Sequence, residues 1–473
     1  MHAFFDAEPP SLTINAWTGS DVEPARPSPE QLHAWLRSRP APPPLAQRDR
    51  WPKGVKPWDW QSPNVGWGLV LPDDPKQPAQ RLATAADAPE PIQRLVAARG
   101  NAPVLRWRAN AGGIGQLRRY RPDGRVNDLG PTTEDGIGPG QMPHFLLIYA
   151  PPDQIPWTFQ YAANLRRHVG RLWLQGEALD NYVDALINDW SGCACDVRAP
   201  LVWSVDYGEP DITWLMDRAI SQKLAKEWVD DPDFVRTTHL SGRAATQDRL
   251  IDKLAGTRPA LVVTTSHGMT GPLDDAAVMA SQLGLPVDAN RRVLDLQALC
   301  ERWQPNGAIW YSHACCAAGS DAKSAYEGLA GMGSGVARVL SGVATGCGAT
   351  IAPLPQRLLG AKHPLRAFIG HVEPTFDWTL RNPDPDSRQL LTHGLVKALN
   401  QKLFEDGQRR PIGWAMETVF DDVGVLLDEG KHAIAAIDAA RPRSLTKALY
   451  YQIAAMDRQH TVILGDPTVA LPV

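Results

Sequence analysis

The sequence predicts an α/β fold, a mainly parallel sheet covered by helices on both faces. Two observations carry this. From about residue 141 onward, short apolar runs of strand length alternate with segments of helical period. Two of those runs also end directly in reactive side chains, which is where open parallel sheets carry function. At 473 residues the chain can bury a large core, and its length suggests roughly three domains, or one large domain with an appendage.

Residues 1–50 read as a proline-rich N-terminal segment, 51–140 as a small β-containing region, and 141–473 as the main domain. Of 42 prolines, 17 fall in residues 1–100, and residues 39–45 (RPAPPPL) form a short polyproline II stretch or linker. Trp51, Trp58, Trp60 and Trp67 stand among prolines and glycines as anchors pinning an irregular segment to a surface; the sharper alternative is an aromatic groove for a peptide. Residues 104–126, with the turn Pro122-Asp123-Gly124, suit a small β unit. Strands are expected over 145–150, 201–205, 234–238, 260–265, 308–312, 349–352 and 461–464. Helices are expected over 172–190, 212–229, 245–255, 274–284, 295–303, 321–341, 388–405, 411–429 and 431–458.

Composition narrows the function. Lys and Arg total 48 against 52 Asp and Glu, and a net charge of −4 gives no general pull toward nucleic acid or an anionic membrane. The longest clean apolar run, 145–150, is far too short to span a bilayer. The opening MHAFFDAEPP has acids and prolines where a signal peptide needs a basic and then an apolar stretch. Six cysteines in a chain of this size do not make a disulfide framework, so a reducing, cytoplasmic setting is expected, with thiols free for chemistry.

Two motifs bring that chemistry. The run 261–265 (LVVTT) leads into Ser266-His267-Gly268, and the run 308–312 (AIWYS) into His313-Ala314-Cys315-Cys316. The 48 residues from His267 to Cys315 hold enough helix for a crossover between parallel strands, which would set imidazole and thiol side by side at hydrogen-bonding range. A thiol with a pKa of about 8.5 is mostly protonated at neutral pH, and a neighbouring imidazolium lowers it. Attack on an amide carbonyl then creates an oxyanion that needs backbone N–H donors. Gly268 lets the backbone approach without a Cβ, and the Cys315 N–H is a second donor.

These motifs resemble the caspase–gingipain–legumain superfamily of cysteine peptidases, and within it the bacterial gingipain-type and CHAT-type branch. The likeness is carried by FLLIYAPPDQIPWTFQY (145–161), HVGRLWL (168–174), LVVTTSHGM (261–269), AIWYSHACCAAGSD (308–321), LRAFIGHVEP (365–374) and VILGDPTVAL (462–471), across residues 141–473. The order and spacing of His and Cys match those of caspases. The resemblance implies a caspase-like three-layer α/β/α sandwich, His267 as general base and acid, Cys315 as nucleophile, and Gly268 and Cys315 as oxyanion donors. It implies protein or peptide substrates, no metal or organic cofactor, a regulatory protein partner, and a role in bacterial defence or regulated cell death. No Gln-Ala-Cys-Arg-Gly is present, so a preference for aspartate is not implied.

Neighbouring residues take plainer readings. Cys316 should point away from Cys315 if the chain is still extended there, as a packing thiol or redox partner. His313 alternates onto the opposite face of its strand and belongs to the core. Ser320-Asp321 looks like a helix N-cap, which would put a positive helix end near the site. Cys193-Ala194-Cys195 lacks the spacing and second pair of a zinc site, and Cys300 and Cys347 read as core. Gly331, Gly333 and Gly335 fall in a helical pattern rather than a phosphate loop. If the first subsite takes a basic side chain, Asp206 or Asp211 is the candidate acid, and either also reads as an ordinary loop acid or cap. Asp274 and Asp275 read as helix N-terminal acids, and Trp378 as packed. The function that follows is a cysteine endopeptidase. The alternatives are a catalytically inactive caspase-like interaction module and a different thiol acyl enzyme such as an amidase.

Overall fold

The computed structural model describes residues 11–39, 51–109, 115–380, 391–405, 407–438 and 444–472. Twelve strands form one sheet: β1 Trp67–Pro72, β2 Val104–Trp107, β3 Leu117–Tyr120, β4 Val126–Leu129, β5 Phe145–Tyr149, β6 His168–Leu172, β7 Leu201–Ser204, β8 Thr238–Ser241, β9 Leu261–Thr265, β10 Ile309–His313, β11 Ala367–His371 and β12 Thr461–Gly465. Their order is β4-β3-β2-β1-β5-β6-β12-β11-β10-β9-β7-β8. All pairs are parallel except β2–β3, β3–β4 and β11–β12. Two blocks of parallel strands therefore meet back to back at β11 and β12.

Every residue of β5, β6, β7, β9, β10, β11 and β12 is buried. Successive side chains point to opposite faces, so both faces are covered, which makes an α/β sandwich. Runs such as LVVTT and TVILG suit such strands because β-branched side chains pack well on a pleated surface. Each buried Val, Leu or Ile contributes about 1.5–3 kcal/mol relative to exposure.

The sheet crosses residues 140/141 without interruption: β1 pairs with β5, Trp67 opposite Phe145. A buried polar tie reinforces the join. The Trp67 indole N–H donates to Asp466 at 2.9 Å, and the Arg99 guanidinium lies 3.6 Å from the same carboxylate. Asp466 belongs to the terminal Gly-Asp-Pro, so here that motif is a structural clamp. The early tryptophans pack as anchors: Trp51 edge-on to His144, Trp58 against Trp414, Trp60 beneath Arg99.

Several expected elements differ. β6 and β11 are not expected as strands, because His, Gly and Arg dilute their hydropathy. Arg171 of β6 is nevertheless buried, its guanidinium donating to the Gln160 Oε1 (3.1 Å) and the Ala150 carbonyl (3.0 Å). The strand expected at 234–238 forms instead at Thr238–Ser241, because Phe234 is used in an edge packing with Trp228. The helix expected over 321–341 starts only at Gly335, since Gly328 and Gly333 adopt φ of +82° and +89° and break the turn. The two helices expected over 411–458 are three: Ile412–Phe420, Val423–Asp438 and Ser444–His460. The polyproline stretch lies outside the described residues from position 40. Residues 11–39 pack onto the body, with helix Pro29–Arg37 capped by a Ser28–Gln31 box and burying Leu32, Trp35 and Leu36. No helix among the described residues is long and apolar enough to cross a membrane.

Candidate active site

β9 and β10 are parallel neighbours with Thr265 opposite His313. Two residues beyond that pair the chain reaches His267 on one strand and Cys315 on the other, so the two residues stand at the same level of the sheet edge. The backbones touch: a Cβ on Gly268 would fall 2.1 Å from the Cys315 carbonyl oxygen and 2.7 Å from its nitrogen. Any residue but glycine at 268 would force this edge of the sheet apart.

The imidazole is oriented by a carboxylate. His267 Nε2 lies 3.0 Å from Asp211 Oδ2. Asp211 caps the short helix Ile212–Met216, accepting from the Thr213 N–H at 2.8 Å and from the Thr213 hydroxyl. Burial alone would raise the Asp211 carboxyl, but the His267 hydrogen bond and charge, with the Thr213 donors, outweigh it and hold its pKa below the ordinary carboxylate value. An ionised carboxylate only accepts, so Nε2 carries the proton and Nδ1 keeps a free lone pair in the neutral ring. Nδ1 is buried and has no hydrogen-bond partner among the described residues. The hydrogen bond expected between thiol and imidazole is therefore not formed in this state; such bonds often tighten only once substrate is bound. The ring stacks on Tyr207 at 5.8 Å and 21°, and the Tyr207 hydroxyl is fixed on the Asp288 carbonyl.

Asp211 thus stands behind the imidazole rather than at the floor of a pocket. Asp206 is engaged as well: one oxygen accepts the Gly208 N–H at 2.8 Å and the other pairs with Arg218 at 3.0 Å, while that guanidinium covers Trp214. Neither acid is left to receive a basic side chain.

Cys315 and Cys316 do not point to opposite faces. The strand ends at His313 and Cys316 adopts φ of +54°, so period-2 alternation no longer applies. Hydrogen bonding to the neighbouring Cys315 thiol, with burial, pushes the Cys316 thiol pKa well up. Behind the doublet Glu373 accepts from the Ser324 hydroxyl and the Ala325 N–H, and burial raises it to about 7. The N-cap expected at Ser320-Asp321 is not formed. Ser320 lies in a two-stranded pair with Thr350 and donates to the Gly348 carbonyl, so no helix begins at this position. His313 sits in the core, and Trp378 is packed. Asp275 caps helix Ala276–Gln282 as expected. All six cysteines are free thiols.

Comparison with family models and with curated proteins finds no match. The site is read from its own geometry.

Cys315 is fully buried and His267 is 4% exposed. The chain's own N-terminal segment lies along His267 and Gly268, and its Leu12, Ile14 and Ala16 share a core cluster with Cys315. Ala16–Trp17 pairs in parallel with Gly268–Met269, and the Trp17 ring lies 6.4 Å from that of His267. The Gly268 N–H donates to the Asn15 carbonyl at 3.0 Å. No sequence signal points to this segment: it is a short apolar stretch bounded by polar residues, like many others.

Proposed function

We propose that the protein is a cysteine endopeptidase of the caspase-like superfamily, acting on protein or peptide substrates in a reducing, cytoplasmic setting. One observation supports it above the rest. The Gly268 N–H, beside Cys315 and next to His267, already holds a main-chain carbonyl of an extended segment. That is how an amide bond is presented to a nucleophile with its oxyanion donor in place.

The Cys315 proton passes to His267 Nδ1, and the thiolate adds to the carbonyl carbon. The oxyanion is held by the Gly268 and Cys315 N–H groups. Nδ1–H protonates the leaving amine as the C–N bond breaks, leaving a thioester. Water, deprotonated by Nδ1, then attacks the thioester and releases the acid, and the thiol is regenerated. Asp211 holds the Nε2–H and stabilises the imidazolium. Main-chain atoms of strand ends position each donor, so the cycle rests on the packed sheet.

The test is a proteome-derived peptide library read by mass spectrometry, with Cys315→Ala as control, together with labelling by a peptidyl electrophile. Cleaved bonds that vanish in Cys315→Ala, and labelling lost in His267→Ala, are the expected result. Labelling no faster than at Cys300, with no cleavage, would instead favour the inactive interaction module, a reading the complete burial of Cys315 would also fit.

A further inference from the structure

Residues 12–17 cross the site as an extended strand bonded on both sides. On one side the Gly268 N–H donates to the Asn15 carbonyl (3.0 Å) and the Thr270 N–H to the Trp17 carbonyl (2.8 Å). On the other, the Asn15 N–H donates to the Thr375 carbonyl (3.2 Å) and the Asp377 N–H to the Thr13 carbonyl (3.1 Å), with Ile14 opposite Phe376 in an antiparallel bridge. The Asn15 side chain is fully buried, its Oδ1 accepting the Thr375 N–H at 3.2 Å and its Nδ2 set 3.9 Å from Met216 Sδ. The segment is fastened further out, where Arg291 covers both Trp17 and Tyr207 and pairs with Asp21.

A strand added between two backbone edges is how extended peptides are recognised; here Leu12, Ile14, Ala16 and Trp17 are buried along with Asn15, which is the one polar side chain among the buried residues of the segment. We propose that this groove is the substrate site, that residues 12–17 are its resident occupant, and that it selects polypeptides with asparagine at the residue whose carbonyl meets Gly268. The inference rests on the peptidase reading above and adds the substrate class.

Chemistry sets the selectivity. The pocket gives Asn15 one N–H donor and one weak thioether acceptor, and among the described residues no charged group is hydrogen-bonded to it. An aspartate there would bury a carboxylate on a single donor, and a lysine or arginine would bury a cation where, among the described residues, no acid is bonded to the position. Asp206 and Asp211, the acids the sequence offered for a basic first subsite, are committed to Arg218 and His267, and Asp377 accepts the Thr13 N–H two residues away at 3.2 Å. The uncharged amide satisfies both partners. Because the occupant is tethered, it competes at an effective concentration of roughly millimolar, so substrate enters only when the segment leaves.

The experiment uses the full chain carrying Asn15→Lys, which buries an unpaired cation and should expel the segment, and Asn15→Ser as a milder variant should the first not fold. With Cys315→Ala added to prevent cutting, fluorescence anisotropy compares binding of a labelled Leu-Thr-Ile-Asn-Ala-Trp peptide with its Asn→Asp and Asn→Arg forms. The asparagine peptide should bind at least about 100-fold more tightly than either, as expected where a buried polar pocket rejects the wrong group. With Cys315 intact, the same variants should cut the peptide at least about tenfold faster than the unsubstituted chain, after asparagine. Equal binding of the three peptides, or no binding by a folded variant, overturns the proposal. Selective binding without any cleavage sinks the peptidase reading and leaves the groove standing. Cleavage without preference for asparagine does the reverse.

Discussion

Two histidines close neighbouring strands of the same sheet, and only one of them is equipped to move a proton. His267 gives Nε2 to an ionised aspartate and keeps a buried Nδ1 with no hydrogen-bond partner among the described residues. His313, two residues before the thiol in sequence, is sealed below it. Its Nδ1 meets the Tyr311 hydroxyl at 2.8 Å, its Nε2 faces Thr375 Oγ1 at 3.5 Å, and the His371 ring stands edge-on at 4.8 Å. Burial first, and then the charge of His371, push His313 down to about 3; burial takes His460 to about 3 as well, against the pull of Asp457. Closeness to the cysteine in sequence is thus no guide to chemical role. A carboxylate behind the ring and an unused nitrogen in front of it are.

The strongest way to break this contrast is to change the carboxylate alone. Asp211→Asn should lower kcat/KM by about 10²- to 10⁴-fold with KM little altered, because an amide can donate to Nε2 and so put the ring in the wrong tautomer. The check is steady-state cleavage of a peptide cut by the unsubstituted chain, with circular dichroism to confirm the fold. A loss of under about threefold would mean the carboxylate does not set the proton's position. His313→Gln should act the other way. It should cost about 1–3 kcal/mol of stability through the orphaned Tyr311 and Thr375 partners and leave the chemistry of the folded fraction intact.

The two motif strands are legible in the sequence because both are clean apolar runs that stop at polar residues. Their adjacency follows from the length between His267 and Cys315. Asp211 is legible as a candidate residue but not in its role, since its partner lies 56 positions away and nothing in a local N-cap pattern says which side chain the second carboxylate oxygen will meet. Strands β6 and β11 are hidden because Arg171 and the glycines lower the local hydropathy, while the tertiary partners that satisfy Arg171 do not show in a window of residues. The covering segment is illegible for a stronger reason. Residues 12–17 owe their extended shape to backbone bonds with positions 268–270 and 375–377, and such bonds carry almost no side-chain signature.

A smaller effect sharpens the same contrast through pH. A histidine with a folded pKa near 3 and an unfolded value of about 6.5 takes up a proton on unfolding anywhere between the two. Its contribution is complete above the unfolded value and falls as the pH drops below it, by about 1.4 kcal/mol per pH unit for each ring. Asp211 has the opposite window: a lowered carboxyl stabilises the fold above about 3.9 and loses that only below. Between pH 7 and 5.5 His313 and His460 should together lose about 2.5 kcal/mol, part of which Glu373, raised to about 7, gives back by taking up a proton in the folded state over the same range. Urea unfolding at stepped pH measures it. His460→Gln should reduce the loss over this range by about 1.2 kcal/mol, and an unchanged pH dependence would place the acid sensitivity elsewhere.

The smallest expected effect concerns the acid that a basic first subsite would have needed. The Asp206 carboxylate is turned onto the Gly208 N–H and a half-exposed Arg218, so Asp206→Asn keeps the turn and loses only a screened ion pair. Such pairs are worth about 0–1 kcal/mol, and the change in stability should lie in that range. If Arg218 is satisfied where it stands, cleavage-site preference should not move at all. A library profile that loses Lys or Arg sites in Asp206→Asn would show that the ion pair opens to admit a cationic side chain, with Arg218 acting as a placeholder for substrate. The unsubstituted and Asp206→Asn profiles, taken at two salt concentrations, separate the cases, because a surface pair weakens with salt while a pocket acid holding a desolvated cation does so much less.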